Sequence, residues 1–261
     1  MTRPTTRSAY LWRLLATALC FATFGVGALI LAVFVWPALT LLIRDPCARR
    51  RRARRVVGAT LRAFVALVHG LGVVDFSFVG AGHLGKPGQL VLANHPTLLD
   101  AVVLLAFVPD SSCVAKPALF ASPLFRGALR ACGYIDSTHT LEMVEDATLR
   151  LGAGECVVMF PEATRSRPGE PTVFHRSAVS IALRSGARVT PVFIHCDPPM
   201  LAKGDPWYHI PARRPSVTLR VGHDFDVAPF AALSPPPRAS RACNDALLAL
   251  FAAQRPPPQA R

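Results

Sequence analysis

The sequence predicts an α/β fold: a mixed, mostly buried sheet with helices on both faces, preceded by an N-terminal membrane-embedded helix. Three observations lead there. Short, continuously apolar runs bounded by turn residues alternate with amphipathic stretches of helical period, as in a layered sheet covered on both sides. Thirty residues without a charge, Leu14 to Ile43, stand near the N-terminus. The composition is apolar, 51% hydrophobic against 17% charged over 261 residues with a mean hydropathy of +0.35. That excludes a disordered charged chain and fits poorly with a wholly water-soluble one.

The apolar run comes first. It exceeds the roughly 7–15 apolar residues of a cleaved signal peptide, and Arg44 and Asp45 follow it without a small-residue cleavage site. As one helix it is about 45 Å long against a hydrocarbon core of about 30 Å. A straight crossing would need a tilt of about 48°, outside the usual range of about 0–40°. Two geometries remain open. A kink at Pro37 gives a single span over Leu14–Trp36, with Pro37–Ile43 at the interface. A bent hairpin through Gly25 and Gly27 would dip into one leaflet. Seven arginines (44, 49, 50, 51, 52, 54, 55) follow the run and three (3, 7, 13) precede it. This bias places the body on the cytoplasmic side of an inner membrane. The run Arg49–Arg55 reads either as a contact for anionic lipid or as a plain topology signal.

The domain organisation follows: an anchor over 1–48, a basic amphipathic connector over 49–74, a body over 75–254, and a disordered Pro-rich tail over 255–261. Within the body, Gln89–Ala93 is an apolar run closed by Asn94-His95-Pro96, hence a buried strand. Leu98–Val108 is helix-compatible, Cys113–Ala115 a second strand, and Pro117–Cys132 a stretch broken by Pro123. Thr140–Leu151 is the clearest helix, with Leu141, Val144, Thr148 and Leu151 as its apolar stripe. Cys156–Phe160 is a buried strand, and His175–Arg184 a helix closed by Gly186. Val189–His195 and Ser216–Val221 are strands, and Ser240–Ala253 is the last helix.

Charge narrows the function. Residues 1–62 hold 11 arginines and one acid, while the remainder holds 18 basic and 15 acidic residues. The body therefore lacks the basic character of a nucleic-acid-binding domain. The seven cysteines are odd in number, lack a C-x-x-C pair and mostly sit in apolar runs. They read as buried free thiols without a metal site.

Two strand ends carry chemistry. In Asn94-His95-Pro96-Thr97-Leu98-Leu99-Asp100, a histidine and a carboxylate can act as a base and its orienting partner. At helical spacing, residues five apart diverge by about 140°, so the pair meets only if His95 lies in the turn before the helix. Otherwise His95 is a structural cap. Phe160-Pro161-Glu162-Ala163-Thr164-Arg165-Ser166 follows the other strand. There an arginine fork and hydroxyls suit an anionic, oxygen-rich group, though a solvated turn would read the same way. The sequence has no G-x-S-x-G elbow, Walker A loop or H-E-x-x-H. A base without an enzyme nucleophile points to a nucleophile supplied by the substrate, a hydroxyl attacking an activated acyl group.

NHPTLLD and FPEATRS, in this order, resemble the first and third motifs of the 1-acylglycerol-3-phosphate acyltransferase (lysophospholipid acyltransferase) superfamily. Lys116-Pro117-Ala118-Leu119 with Pro123 is similar to the family's K-x-x-L-x-x-x-P stretch, and Val189-Thr190-Pro191-Val192 to its fourth motif. Gly133-Tyr134-Ile135-Asp136 stands where the second belongs. The resemblance implies that 75–254 is an acyltransferase domain moving a fatty acyl group from an acyl-CoA or acyl-carrier-protein thioester to a lyso-lipid hydroxyl, with no cofactor, metal or covalent acyl-enzyme. It implies His95 as base and Asp100 as its orienter, both catalytic. Lys116, Glu162, Thr164, Arg165 and Ser166 would bind substrate, Glu162 and Arg165 at the head group. The implied partners are membrane lipids and the donor carrier. A lipid-binding module without activity, or a thioesterase on the same scaffold, is the alternative. Two departures are Ala163, where the family has glycine, and Ser137-Thr138, where an arginine usually follows the second motif's aspartate.

Overall fold

The computed structural model describes residues 7–166 and 172–254; the Pro-rich tail proposed for 255–261 lies outside them. The chain begins with α1 (Arg7–Ile30), a π-helical turn (Leu31–Val35) and α2 (Trp36–Leu42), which together form one continuous helix. Pro37 has no N–H to offer the preceding turn, and its ring crowds the carbonyl four residues back. The widened turn before it absorbs the clash, with the Trp36 N–H reaching the Leu31 carbonyl. The helix therefore bulges at the proline instead of ending there. It also runs unbroken through Gly25 and Gly27, so the hairpin does not form.

The helix α3 (Pro46–Gly70) follows, capped by the Asp45 carboxylate, which accepts the N–H groups of Cys47 and Ala48. It is more than a connector. Arg54, only 4% exposed at its side chain, pairs with Glu155 at 2.6 Å and donates to the Cys132 carbonyl at 2.9 Å. Arg50 pairs with the same Glu155 at 3.0 Å. These two arginines of the basic run are thus engaged by Glu155, Arg54 within the protein and Arg50 half-buried at its surface.

Seven strands and seven further helices complete the described body. In chain order they are β1 (Asp75–Val79), β2 (Gln89–Ala93), α4 (Asp100–Phe107), β3 (Ser111–Ala115), α5 (Pro117–Ala121), α6 (Arg126–Cys132), β4 (Ile135–Asp136), α7 (Thr140–Gly152), β5 (Cys156–Met159), α8 (Arg176–Ser185), β6 (Arg188–Asp197), β7 (Ser216–Val221), α9 (Ala228–Ala231) and α10 (Pro236–Ala253). The sheet order is β1-β7-β6-β2-β5-β3-β4, with every neighbouring pair parallel except β6 and β7. The sheet is mixed, as expected.

The strand residues of β2 alternate between two cores. Val91 and Ala93 join one with α3, α4 and the α1 residues Ala16 and Cys20. Leu90 and Leu92 join the other with α7, α8 and α10. The buried stripe of α7 is Met143, Val144, Ala147 and Leu151, while Leu141 is 70% exposed. At 100° per residue this face is turned by about 70° from the expected one. Leu141 and Met143 are both apolar, and packing against the rest of the body decides between them.

The N-terminal helix lies along the body for most of its length. Trp12 donates its indole N–H to the Leu71 carbonyl, and Arg13 reaches the Pro211 and Ala212 carbonyls. Phe24 meets Phe64 edge-on at 5.1 Å. Trp36 is buried against Ala53 and Cys132, at a place where a Cβ on Gly127 would come within 3.0 Å of its ring.

Candidate active site

The strand β2 ends at Ala93 at the centre of the sheet, where ligands of open α/β sheets tend to bind. Asn94 extends the ladder with its side chain. Its amide N–H donates to the Ile194 carbonyl and its oxygen accepts the Ile194 N–H, both at 2.7 Å. The chain then turns through His95-Pro96-Thr97 into α4, whose first residue is Asp100.

His95 Nδ1 and Asp100 Oδ2 are 2.9 Å apart. The pair meets because His95 stands in the turn and not on the helix, the condition its spacing imposed. The same Asp100 oxygen accepts the Thr97 N–H at 2.7 Å, and the Thr97 hydroxyl accepts the Leu99 N–H at 3.2 Å. Asp100 is fully buried, and its other carboxylate oxygen has no hydrogen-bond partner among the described residues. Burial pushes the carboxyl up to about 6, against the opposing pull of His95 and the Thr97 N–H; nearby Glu162 adds to the rise. Phe160 packs beside the imidazole with ring centroids 4.5 Å apart.

The second junction is tied to the first. Glu162 Oε1 accepts the His95 backbone N–H at 3.0 Å, and Oε2 accepts the Ser166 hydroxyl at 2.6 Å. The Ser166 N–H donates to the His95 carbonyl at 2.8 Å. The peptide groups on both sides of His95 are therefore held by the FPEATRS loop. Glu162 is buried with both oxygens engaged, and Ser166 is engaged at hydroxyl and N–H. Neither is poised as a free head-group ligand.

Arg165 is engaged at one nitrogen of its guanidinium. Its Nη1 donates to the Leu201 and Ala202 carbonyls at 2.8 and 3.0 Å, gripping the connection between β6 and β7. That connection also receives the Leu98 N–H at the Leu201 carbonyl, 3.2 Å. Thr164 is half-buried in the same loop. Ala163 takes φ +52°, the left-handed conformation that glycine favours, closing a turn with its N–H on the Phe160 carbonyl. The alanine keeps the glycine-type backbone and carries the strain.

Lys116 caps the start of α5, beyond the end of β3. Partial burial, then Lys203 and Arg165, lower its ammonium pKa, so the three form an electropositive group. Asp136 instead lies on the short edge strand and accepts the Thr138 N–H and hydroxyl. The sequence reading missed Asn94, which anchors the start of the His95 turn, and Lys203. Asn94 was legible inside NHPTLLD, whereas Lys203 belongs to a connection that only folding brings to the site.

The cysteines are free, and all but Cys47 are buried. Burial pushes the thiols of Cys113, Cys132, Cys156 and Cys196 up to about 12, which leaves them un-ionised and poorly nucleophilic. A depression of about 500 Å³ lined by Arg188, Asp224 and Ala228 lies at the opposite end of the strands from His95. The arrangement at the dyad can remove a proton from an incoming group and hold an anion nearby, the two operations that transfer an acyl group to an alcohol.

Comparison with known proteins agrees. Residues 75–195 match the family model described as Acyltransferase. The matched stretch is the one that builds the sheet centre and both site junctions. Among curated relatives, a 1-acyl-sn-glycerol-3-phosphate acyltransferase of Pseudomonas aeruginosa is 25% identical over 62% of this chain and 65% of its own length. One from Helicobacter pylori is 28% identical over 43% of this chain and 51% of its own length. The chloroplastic enzyme of Arabidopsis thaliana is 26% identical over 39% of this chain and 30% of its own length. The chain thus spans less than two thirds of the length of these relatives. The crystal structure of the 1-acyl-sn-glycerophosphate acyltransferase of Thermotoga maritima shares the fold, with a TM-score of 0.64 over 92% of this chain and 95% of that one at 21% identity.

Proposed function

We propose that this protein is an O-acyltransferase that moves a fatty acyl group from a coenzyme A or acyl-carrier-protein thioester to the hydroxyl of a lyso-lipid, such as a 1-acylglycerol-3-phosphate. The observation that carries the reading is the 2.9 Å His95–Asp100 pair held by the acyltransferase motifs. With Nδ1 donating to Asp100, Nε2 takes the proton of the acceptor hydroxyl as its oxygen attacks the thioester carbonyl. The tetrahedral adduct collapses with cleavage of the C–S bond, and the imidazolium returns the proton to the departing thiolate. Asp100 stabilises the imidazolium between these steps. Lys116, Lys203 and the part of the Arg165 guanidinium turned away from the carbonyls supply positive charge for the phosphate. Glu162 and Ser166 act on the acceptor indirectly, by holding the base.

The reaction takes place at a membrane surface. The N-terminal helix touches the body from Trp12 to Trp36, 24 residues or about 36 Å. A body that follows it this far cannot stay in water while the helix crosses a core of about 30 Å. The helix therefore lies along the cytoplasmic leaflet of the inner membrane, its apolar outer face in lipid, in place of the straight crossing. Leu98, three residues from His95, is 43% exposed and offers an acyl chain an apolar approach.

The test is thiol release from acyl-CoA or acyl-carrier protein, with and without lyso-lipid acceptors. Acceptor-dependent release that disappears in His95→Ala supports the proposal. Full activity in that variant, or donor hydrolysis indifferent to acceptor, overturns it.

A further inference from the structure

The connection between β6 and β7 carries an exposed aromatic pair that the reaction does not use. Trp207 and Tyr208 occupy the two central positions of a tight turn, closed by the His209 N–H on the Pro206 carbonyl at 3.0 Å. They are 44% and 58% exposed and pack edge-on at 5.7 Å. Turn tips in contact with water usually carry glycine, asparagine or aspartate, so two large aromatics there need a partner. The turn is not isolated. The Trp207 ring meets Phe21 of α1 at 5.9 Å, and Phe21 is itself 38% exposed, so the pair adjoins an exposed apolar side chain of that helix. Exposed Lys203 stands four residues before the tryptophan on the same connection.

We infer that the Pro206–His209 turn is a second membrane contact, with Trp207 and Tyr208 seated at the level of the lipid head groups beside α1. An indole or phenol, with an apolar body and one polar group, suits that boundary. The same connection is held by Arg165 through the Leu201 and Ala202 carbonyls and by the Leu98 N–H. Seating the turn in the interface thus fixes how the His95 site is tilted toward lipid. This rests on the proposal that α1 lies in the membrane, and the two are separable by experiment.

The protein has three tryptophans, of which Trp36 is buried. Full-length protein is reconstituted into vesicles of phosphatidylethanolamine and phosphatidylglycerol brominated either near the carbonyl or near the methyl end of the acyl chain. Subtracting the fluorescence of Trp207→Phe and of Trp12→Phe from that of the unaltered protein isolates each indole. Trp207 should lose most of its emission to the shallow bromines and little to the deep ones. If Trp12 is quenched and Trp207 is not, α1 is in lipid and the turn is in water, and the inference fails alone. If neither is quenched, both fail. The paired variant Trp207→Ser/Tyr208→Ser should raise KM severalfold for acceptor presented in vesicles, with kcat kept for a short-chain soluble acceptor. Trp207→Tyr should restore the vesicle KM. An unchanged vesicle KM in the paired variant also overturns the inference.

Discussion

The Glu162 carboxylate accepts the backbone N–H of His95 at 3.0 Å, so the turn that carries the imidazole is suspended from the loop 67 residues further on. The two sequence motifs are one structural unit.

Glu162 is therefore expected to behave as a positioning residue. Glu162→Ala leaves the His95 N–H and the Ser166 hydroxyl without their partner and should cost about 1–3 kcal/mol of stability. Its kcat should fall strongly while KM for the acceptor stays nearly constant. Glu162→Gln keeps one acceptor and should be intermediate. A rise in acceptor KM with kcat intact would instead mark a head-group ligand. Steady-state kinetics with chemical denaturation reads both.

Asp100→Asn removes the charge facing the imidazolium and should lower kcat by about 10³–10⁴-fold with the fold retained. Circular dichroism and thiol release on the same preparation check this.

The pH profile follows from the raised carboxyl of Asp100. Folded protein holds this proton more tightly than the unfolded chain. Its stabilising contribution is therefore complete below about pH 4 and is lost as pH rises through about 6. The proposed catalysis needs the ionised carboxylate, so kcat/KM should climb across the same interval, with an apparent pKa near 6 set by the Asp100 carboxyl. Activity and this share of stability thus move in opposite directions. The melting temperature of Asp100→Asn relative to the unaltered protein should increase from pH 4 to pH 8. A constant difference would refute the linkage.

Ala163→Gly should stabilise the protein by about 0.5–1 kcal/mol, because glycine adopts the +52° φ without the side-chain clash and Ala163 is exposed. Since the turn already has its glycine-type conformation, acceptor KM should not move. Equilibrium unfolding decides the first point.

Arg54→Met should be the most damaging of these changes to the fold, at about 3–5 kcal/mol, because it removes the inner partner of Glu155. Urea unfolding of the detergent-solubilised protein measures it.

The central strands were readable because β2 and β5 are short apolar runs ended by polar turns, and both motifs follow directly from them. The meeting of His95 with Asp100 was readable as a condition on the turn. The edge strand β1 was not read: Asp75–Val79 mixes polar and apolar residues, and its partner β7 lies over 130 residues away. The roles of Glu162 and Arg165 were not readable either. A carboxylate or guanidinium in a loop has the same letters whether it meets a ligand or, as here, a backbone N–H and two carbonyls. Nor did the hydropathy of Leu14–Ile43 show that Ala16, Cys20 and Trp36 would be claimed by the body.

By extending β2 one step past its last strand residue, Asn94 lets rigidity outlast the sheet. The imidazole leaves the biosynthetic folding step already held, so in the proposed reaction an arriving lipid would have no catalytic loop to set in order and its own adhesion could go toward reaching the reactive geometry.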